Sequence, residues 1–256
     1  MKKNKMSYVC GTLCCLLAFS SCLGDTATQL TMANQTGVVT TELPSAGKAV
    51  YVKGGGVISS EDFQTANVAE GQCILFDYSI DYGAAENADG GASLGYMTAT
   101  IYDNTITTVD RWPLHSVLSD TSRALPSEQL LSDLQVRTAY IRGMLFLFTE
   151  IADHPTVQQD SFSLSYNARQ PVGSDGVYDL YLRSVKTVAA PDSVEGESMI
   201  IPCAFSIGSF VDSVAQANGT DEVSFRVNYA ASFGLDSLSV NFDATDVLTV
   251  NVNEQE

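Results

Sequence analysis

The stretch QCILFDYSIDY, residues 72–82, decides the class of fold that the sequence predicts. Its apolar side chains alternate in part with polar ones, as they do in a β-strand with one buried and one solvated face. One face carries Ile74, Phe76, Tyr78 and Ile80, and the other carries Leu75, Asp77, Ser79 and Asp81. Residues 72–82 are therefore predicted to form a half-buried strand of an all-β protein.

The segments on either side of this strand have the same character as far as Arg111. They are rich in Val, Ile, Thr, Tyr and Phe and are separated by turn residues; they are residues 37–43, 48–56 and 96–109. When so few strands close into a small barrel, none of them is left with an exposed edge. Residues 37–111 are therefore predicted to form an OB-like β-barrel domain. A second small sandwich is the competing arrangement.

The strand pattern pauses between Trp112 and Gln135, where two prolines and several helix-capping residues occur. Residues 112–135 are interpreted as a connector, and the leucines after Ser127 predict one short helix just after Pro126. Six β-rich segments then follow at fairly regular spacing; they are residues 138–152, 160–168, 177–185, 199–208, 222–232 and 236–252. This pattern predicts an antiparallel β-sandwich domain over residues 136–256, without a long helix.

The first 21 residues have the pattern of a secretory signal peptide. Three lysines lie in the opening MKKNKM, and an apolar run covers residues 9–19. Two serines follow this run, and a cysteine comes directly after them. The run is too short and wrongly flanked to serve as a permanent membrane-spanning helix. Residues 1–21 are therefore predicted to be cleaved off on export.

Cys22 stands at the end of this signal, where a lipoprotein precursor is acylated. Its thiol is a nucleophile that can take a diacylglyceryl group, and the small side chains before it give a peptidase access to the bond. We therefore predict lipidation at Cys22, with residues 22–36 as a lipidated polar tether and the lipid anchor as the tie to the membrane. An ordinary signal peptide with an incidental cysteine is the alternative.

The strong acidic charge of the chain excludes some classes of partner. The chain has 13 basic and 30 acidic residues, and loss of the three signal lysines leaves a net charge of −20. Such a surface repels phosphate backbones, so no nucleic-acid partner is expected. It also repels anionic lipid headgroups, which leaves the acyl chains as the membrane contact. Beyond the signal and Cys22, only Cys73 and Cys203 remain, and both are expected to be buried, unpaired thiols.

Residues that could carry metal or covalent chemistry are sparse. The two histidines, His115 and His154, have neither metal-ligand spacing nor a nearby cysteine, and we expect them to be solvated or capping residues. No G-x-S-x-G motif is present, so no serine nucleophile is predicted. We therefore expect no cofactor and no metal and assign no catalytic residue, although a pair of carboxylates among the many acids stays open.

The Gly-rich segment that follows the strand at 72–82 carries Asp81, Glu86 and Asp89. These acids could lend oxygens to Ca²⁺, but the EF-hand pattern is absent. We expect a flexible, solvated hairpin loop in this segment.

Aromatic side chains are concentrated in the predicted first domain. Exposed aromatic rings can bind sugars by stacking, whereas aromatic residues in strands usually pack in cores. The core role is the main expectation and a carbohydrate platform the alternative; the residues concerned are Tyr78, Tyr82, Tyr96, Tyr102 and Trp112.

Several stretches together resemble the NigD-like lipoproteins of Bacteroidetes. The resemblance rests on EGQCILFDYSIDY at residues 70–82, on the hairpin-like run of residues 134–168, on VYDLYLRSV at 177–185 and on DEVSFRVNYAAS at 221–232. It implies an OB-like first domain, a C-terminal β-sandwich and an outer-membrane lipoprotein. The family has no established catalytic residues, so the resemblance implies none in this chain.

The expected function is that of a non-enzymatic cell-envelope lipoprotein that binds or assists an unknown protein or glycan partner at the outer membrane. One alternative is a fimbrial or adhesin subunit, which is trimmed at an arginine in its N-terminal arm. The first arginine here is Arg111, where trimming would destroy the first domain. The other alternative is a carboxylate-dependent glycoside hydrolase, for which no acid spacing is recognisable.

Overall fold

β-Strands make up most of the chain in the computed structural model, which describes residues 28–43, 47–54, 56–117, 122–169, 172–191 and 193–252. Three short 3₁₀ helices lie in the first half, at Asp62–Thr65, Ala85–Asn87 and Asp103–Thr105. One α-helix within these ranges, α1 (Gly208–Asn218), lies in the second half. The all-β expectation is thus confirmed, with one helix that the sequence pattern did not predict. The predicted signal peptide and Cys22 lie outside the described residues.

The first half of the described chain contributes seven strands to the fold. In chain order they are β1 (Gln29–Leu43), β2 (Gly47–Val52), β3 (Val57–Ser59), β4 (Cys73–Asp81), β5 (Met97–Thr98), β6 (Thr100–Ile101) and β7 (Thr107–Val117). β4 is the strand that the alternation at residues 72–82 predicts.

β1 begins inside the segment that the sequence predicts as a tether. Gln29 to Thr36 pair antiparallel with β4, with an irregularity between Met32 and Gln35. Most side chains in this part of β1 are exposed. Because this exposed end of β1 has the polar composition of a tether, the sequence alone did not identify it as a strand. Its backbone pairing with β4 shows that it is one.

The first sheet follows an OB-like strand order. β7, β4, β1, β2 and β3 are neighbours in an antiparallel series. β5 pairs parallel with β3, and β6 pairs antiparallel with β4. Because only Ala99 separates these two-residue strands, the segment from Met97 to Ile101 connects β3, at one end of the series, with β4, the second strand from the other end. The ladder is interrupted at Ala99, so the described residues do not form the closed barrel that the sequence predicts.

One face of β4 supplies the core of the first domain. Ile74, Phe76, Tyr78 and Ile80 are all buried there, as their alternation predicts. They pack with residues of β1, β2, β3 and β6 and with Phe63 of the first 3₁₀ helix.

The second half of the described chain contributes nine strands. They are β8 (Glu128–Gln129), β9 (Asp133–Ile141), β10 (Met144–His154), β11 (Gln159–Asn167), β12 (Tyr178–Val188), β13 (Glu197–Ser206), β14 (Glu222–Phe233), β15 (Val240–Ala244) and β16 (Leu248–Asn251). β9, β10 and β13 form one sheet, and β11, β12, β14 and β15 form the other, with β8 on β12 and β16 on β14.

The second domain is a sandwich, but its pairing is mixed and not wholly antiparallel as predicted. β7 pairs parallel with β11 in one sheet and with β13 in the other, and β12 pairs parallel with β14. The parallel pairs follow from the path of the chain between the paired strands. β7 enters the sandwich from the first domain, and α1 lies between β13 and β14 in the chain.

β7 therefore crosses the boundary that was predicted at residue 112. Residues 107–109 pair with β4 of the first domain, residues 110–113 with β13, and residues 114–117 with β11. A small apolar cluster lies at the same junction and joins Val38, Cys73 and Val109 to residues of β9, β10 and β13. The two domains thus share a strand and a core.

The short helix predicted after Pro126 is not formed. Ser127 has a positive φ of 58°, which is incompatible with the first turn of a right-handed helix. Glu128 and Gln129 form β8 on the edge of β12. The nearby leucines serve the sandwich core, where Leu131 and Leu134 are buried.

The largest core lies between the two sheets of the second domain. It includes Phe162, Leu164, Leu180 and Leu182 from one sheet and Leu145, Leu147 and Phe205 from the other. α1 packs on it through Phe210, Val211, Val214 and Ala215.

No helix within the described ranges is both long enough and apolar enough to cross a membrane.

Candidate functional site

The aromatic residues predicted as a sugar platform are divided between two cores and the surface. Tyr78 is only 7% exposed and stacks on Phe76 with 5.4 Å between ring centroids, and burial raises the pKa of its hydroxyl. Trp112 packs against the core of the second domain. Trp112 and Tyr96 are half-buried, and Tyr82 and Tyr102 are exposed. Tyr78 and Trp112 therefore have the core role that was the main expectation.

The two histidines lie in different environments. His115 is exposed on β7. His154 is 5% exposed, and its Nε2 lies 2.6 Å from an oxygen of Asp160. Because His154 is on β10 and Asp160 on β11, this pair connects the two sheets of the sandwich. The expectation of a solvated or capping residue is thus wrong for His154, whose partner is only six residues away in sequence but lies on the other sheet of the sandwich.

The acids of the Gly-rich loop cap turns. Asp81 accepts hydrogen bonds from the Thr28 hydroxyl and the Gly83 amide, and Asp89 accepts them from the Gly91 amide and from Ser93. These bonds hold the pKa of both carboxyl groups below its ordinary value.

The same loop is internally hydrogen-bonded. Asn87 is buried, and its amide bonds to the backbone of Asp81 and Thr98. The loop is thus more structured than the flexible hairpin that the sequence predicts. Within the described ranges, no three His, Cys, Asp or Glu side chains are close enough together to hold a metal ion.

A cleft of about 550 Å³ opens on the second domain between α1 and the strands β7 and β11. We call it the tyrosine groove. Its described lining residues are Pro113, Leu114, Ser116, Tyr166, Asn167, Ala168, Tyr178, Ser206, Ser209, Phe210, Ser213, Val214 and Ala217. This volume is within the range of small-molecule sites in proteins.

Three aromatic rings form the apolar wall of the tyrosine groove. Phe210, in the first turn of α1, is 8% exposed and lies between the two tyrosines. Its ring centroid is 4.9 Å from that of Tyr166 at the end of β11 and 5.6 Å from that of Tyr178 at the start of β12. Both tyrosines are half-buried. Packing on Phe210 therefore fixes their orientation while part of each ring stays exposed.

Hydroxyl and amide groups complete the lining. Ser116, Ser206, Ser209 and Ser213 contribute hydroxyls, and Asn167 contributes an amide. The Asn218 amide, 3.3 Å away, donates to the Tyr178 hydroxyl. No Asp, Glu, Lys, Arg or His is among the described residues that line the groove. It thus combines aromatic surface with uncharged donors and acceptors.

Sequence reasoning missed this groove because it missed α1. The sequence pattern predicts strands at residues 199–208 and 222–232 and assigns no helix to the residues between them. Phe210, Val211, Val214 and Ala215 follow helical spacing, and Gly219 ends the helix with a φ of 64°. These two signals together could have predicted the helix. The convergence of its first turn with the end of β11 depends on tertiary packing.

The first domain matches a known family. Residues 27–106 match the family model described as "Lipoprotein OB domain", so this part of the chain is similar to the OB domain of that lipoprotein family. The match confirms the OB-like first domain that the resemblance implies, and its first residue agrees with the early start of β1. No curated protein matches the chain.

Solved structures share the fold over both domains. An uncharacterized protein from Parabacteroides merdae is 22% identical, with a TM-score of 0.72 over 87% of this chain and 99% of that chain. A protein of unknown function from Bacteroides vulgatus is 14% identical, with a TM-score of 0.50 over 89% and 100%. A NigD-like immunity protein from Bacteroides caccae is 11% identical, with a TM-score of 0.47 over 84% and 91%. At 22% identity, the first of these shows a common fold.

Proposed function

We propose that the chain is a non-catalytic, lipid-anchored binding module of the cell envelope and that its tyrosine groove binds a neutral glycan. One observation carries the proposal: Tyr166 and Tyr178 present partly exposed rings in a cleft whose other polar groups are hydroxyls and amides.

A sugar ring has the matching chemistry. Its C–H-rich face can lie against the face of an aromatic ring, which is apolar and carries partial negative charge. Its hydroxyls both donate and accept hydrogen bonds, as do the serine hydroxyls and the Asn167 amide of the groove. A charged ligand would meet no opposite charge among the described lining residues, and this favours a neutral ligand.

The composition of the groove also favours binding over hydrolysis. Glycoside hydrolases generally place two carboxyl groups on either side of the bond that is cleaved. The described lining of the tyrosine groove holds no carboxyl group. The acids of the Gly-rich loop lie in the first domain and cap its turns.

The lipid anchor at Cys22 would hold the first domain close to the membrane. Thr28 lies six positions after Cys22, and a fully extended chain of that length spans at most about 22 Å. The Thr28 carbonyl accepts a hydrogen bond from the Tyr82 amide, 3.0 Å away. An anchor at Cys22 would therefore keep Thr28, and with it the start of the loop after β4, within about 22 Å of the lipidated residue. The lipoprotein character of the matched OB domain supports an anchor of this kind.

The fimbrial alternative receives less support. Arg111, the first arginine of the chain, lies inside β7, the strand that pairs with both domains. Cleavage after Arg111 would cut this strand between its pairing with β4 and its pairing with β11. A precursor trimmed there would lose the connection between its domains.

A glycan array beside a panel of glycoside hydrolase substrates tests the proposed function. The protein is chain 22–256 with Cys22→Ser, which retains every described residue without the anchor. We expect binding to neutral glycans without turnover. Turnover that is abolished by changing a single Asp or Glu would contradict the proposal, and so would exclusive binding of charged glycans.

A further inference from the structure

A second cavity lies on the outer face of the same domain, and we propose that it binds a ligand that carries a carboxylate next to an apolar group. The cavity has a volume of about 660 Å³, and we call it the cationic cavity. Its described lining residues are His115, Val117, Arg123, Ala124, Leu125, Pro126, Ser163, Ser165, Arg183, Ser237 and Leu238.

The floor of the cationic cavity is the outer face of three neighbouring strands. His115 on β7 is in register with Ser165 on β11, and Ser163 on β11 is in register with Arg183 on β12. The floor therefore offers an imidazole and two hydroxyls that can donate hydrogen bonds to an anion, whereas the Arg183 guanidinium is already paired with Glu128.

The walls are two segments that are hydrogen-bonded to each other. The Ala124 amide donates to the Leu238 carbonyl, 2.8 Å away, and the Val240 amide donates to the Ser122 carbonyl, 2.7 Å away. Arg183 donates to the Arg123 carbonyl at 2.8 Å, which ties one wall to the floor. Several independent bonds thus hold the shape of the cavity.

Two basic groups face this cavity, and no acid is among the described residues that line it. Within the described residues, neither the His115 imidazole nor the Arg123 guanidinium has an ion pair or a side-chain hydrogen bond, and both residues are exposed. By contrast, the half-buried Arg226 is paired with Asp179 and Asp175. In a chain with 30 acidic and 13 basic residues, a site with unpaired positive charge stands out. A guanidinium binds a carboxylate through two parallel hydrogen bonds.

Apolar side chains surround these basic groups. Val117, Leu125, Pro126 and Leu238 line the same cavity, and Leu125 and Leu238 are 40% and 70% exposed. A purely polar anion such as phosphate would leave this surface uncovered. A carboxylate with an adjoining apolar group would cover it and pair with Arg123 in the same pose.

The cationic cavity is separate from the tyrosine groove. The two sites use alternate residues of β7 and β11: His115 and Ser165 face the cavity, whereas Ser116 and Tyr166 face the groove. Since successive side chains of a strand point to opposite faces, the sites lie on opposite faces of one sheet. The two proposals can therefore fail independently.

Isothermal titration of chain 22–256 with Cys22→Ser tests this inference with matched pairs of probes. The first pair is 4-phenylbutyrate and the corresponding alcohol, 4-phenylbutanol. The second pair is a tetrapeptide ending in leucine, with a free or an amidated C-terminus. The first pair probes a small-molecule carboxylate, and the second probes the carboxyl end of a peptide. We expect saturable binding of at least one carboxylate and at least tenfold weaker binding of its neutral counterpart.

Variants assign the binding to the cavity. Arg123→Gln should weaken the carboxylate at least tenfold, whereas Arg169→Gln removes the same charge from an exposed residue outside the cavity and should change nothing. A thermal melt of each variant checks that it is folded. Equal affinity for carboxylate and neutral probe, equal loss in both variants, or no saturable binding of either carboxylate at 10 mM would overturn the proposal.

Discussion

Arg183 and Glu128 form a buried ion pair that connects β12 to β8. The Arg183 Nε donates to a Glu128 oxygen at 2.6 Å, and its Nη2 donates to the other oxygen. The two side chains are 9% and 0% exposed. The Leu125 amide, 2.7 Å away, also donates to the Glu128 carboxylate, so one buried acid organises both the edge of the sheet and a wall of the cationic cavity.

Glu128→Gln should lower the free energy of unfolding by about 3–5 kcal/mol. Removing one charge of a buried pair leaves the other buried without compensation. Chemical denaturation of both proteins measures the difference. Glu86→Gln, which changes an exposed acid of the Gly-rich loop, is the matched control and should have a stability close to that of the unmodified chain. Equal stability of Glu128→Gln and the control would contradict this interpretation of the pair.

Cys73 and Cys203 should be unreactive toward a thiol reagent in the native protein at pH 8. Both are free and buried, as the sequence predicts, and they lie beside adjacent residues of β7 on two different strands. Burial raises the pKa of Cys73 to about 11 and also raises that of Cys203, so the reactive thiolate is scarce at pH 8.

Ellman's reagent on chain 22–256 with Cys22→Ser, which removes the third thiol, gives the measurement. We expect slow reaction in buffer and two reactive thiols in denaturant. Rapid reaction of either thiol in the native state, or none in denaturant because of a disulfide, would show that this description is wrong.

Trypsin should spare the bond after Arg111 in the folded protein. Arg111 lies in the middle of β7, where it and its neighbours are paired with β13, and residues 107–109 before it are paired with β4. Cleavage requires local opening, which is costly in a strand that pairs with β4, β13 and β11 in turn. Arg169, in the exposed turn after β11, is the comparison site and should be cut first. Early cleavage at Arg111 would indicate that the domains are joined by an open connector.

Several features of the fold could be predicted from the sequence, because local patterns determine them. The alternation of Ile74, Phe76 and Tyr78 predicts β4 and the face that it buries. The β-rich segments of the second half likewise predict most of its strands. The tether was predicted too long because exposed residues of β1 have the composition of a linker.

The features that the sequence did not reveal depend on contacts between distant segments. The parallel pairing of β7 with both sheets has no local signature. The ring contacts of Phe210 with Tyr166 and Tyr178 join three elements that are well separated in the chain. The candidate site in the tyrosine groove could therefore not be predicted, although the spacing within α1 could have been recognised.

Labelled palmitate should be incorporated into the full-length chain and lost in Cys22→Ser. The apolar run that ends in two serines and a cysteine motivates this prediction. Cys203→Ser is the control, since its buried thiol should not be acylated and labelling should persist. Equal labelling of the unmodified chain and Cys22→Ser would contradict the lipid anchor.

The most direct test of the account is a calorimetric titration of the strongest glycan from the array against two tyrosine variants. Tyr166→Ala removes a ring of the tyrosine groove, and Tyr82→Ala removes a ring that is 51% exposed on the first domain. Loss of an aromatic contact worth about 1.4 kcal/mol weakens binding about tenfold. We expect that loss in Tyr166→Ala and unchanged affinity in Tyr82→Ala. Unchanged affinity in Tyr166→Ala, or a loss confined to Tyr82→Ala, would contradict the assignment of the groove as the glycan site.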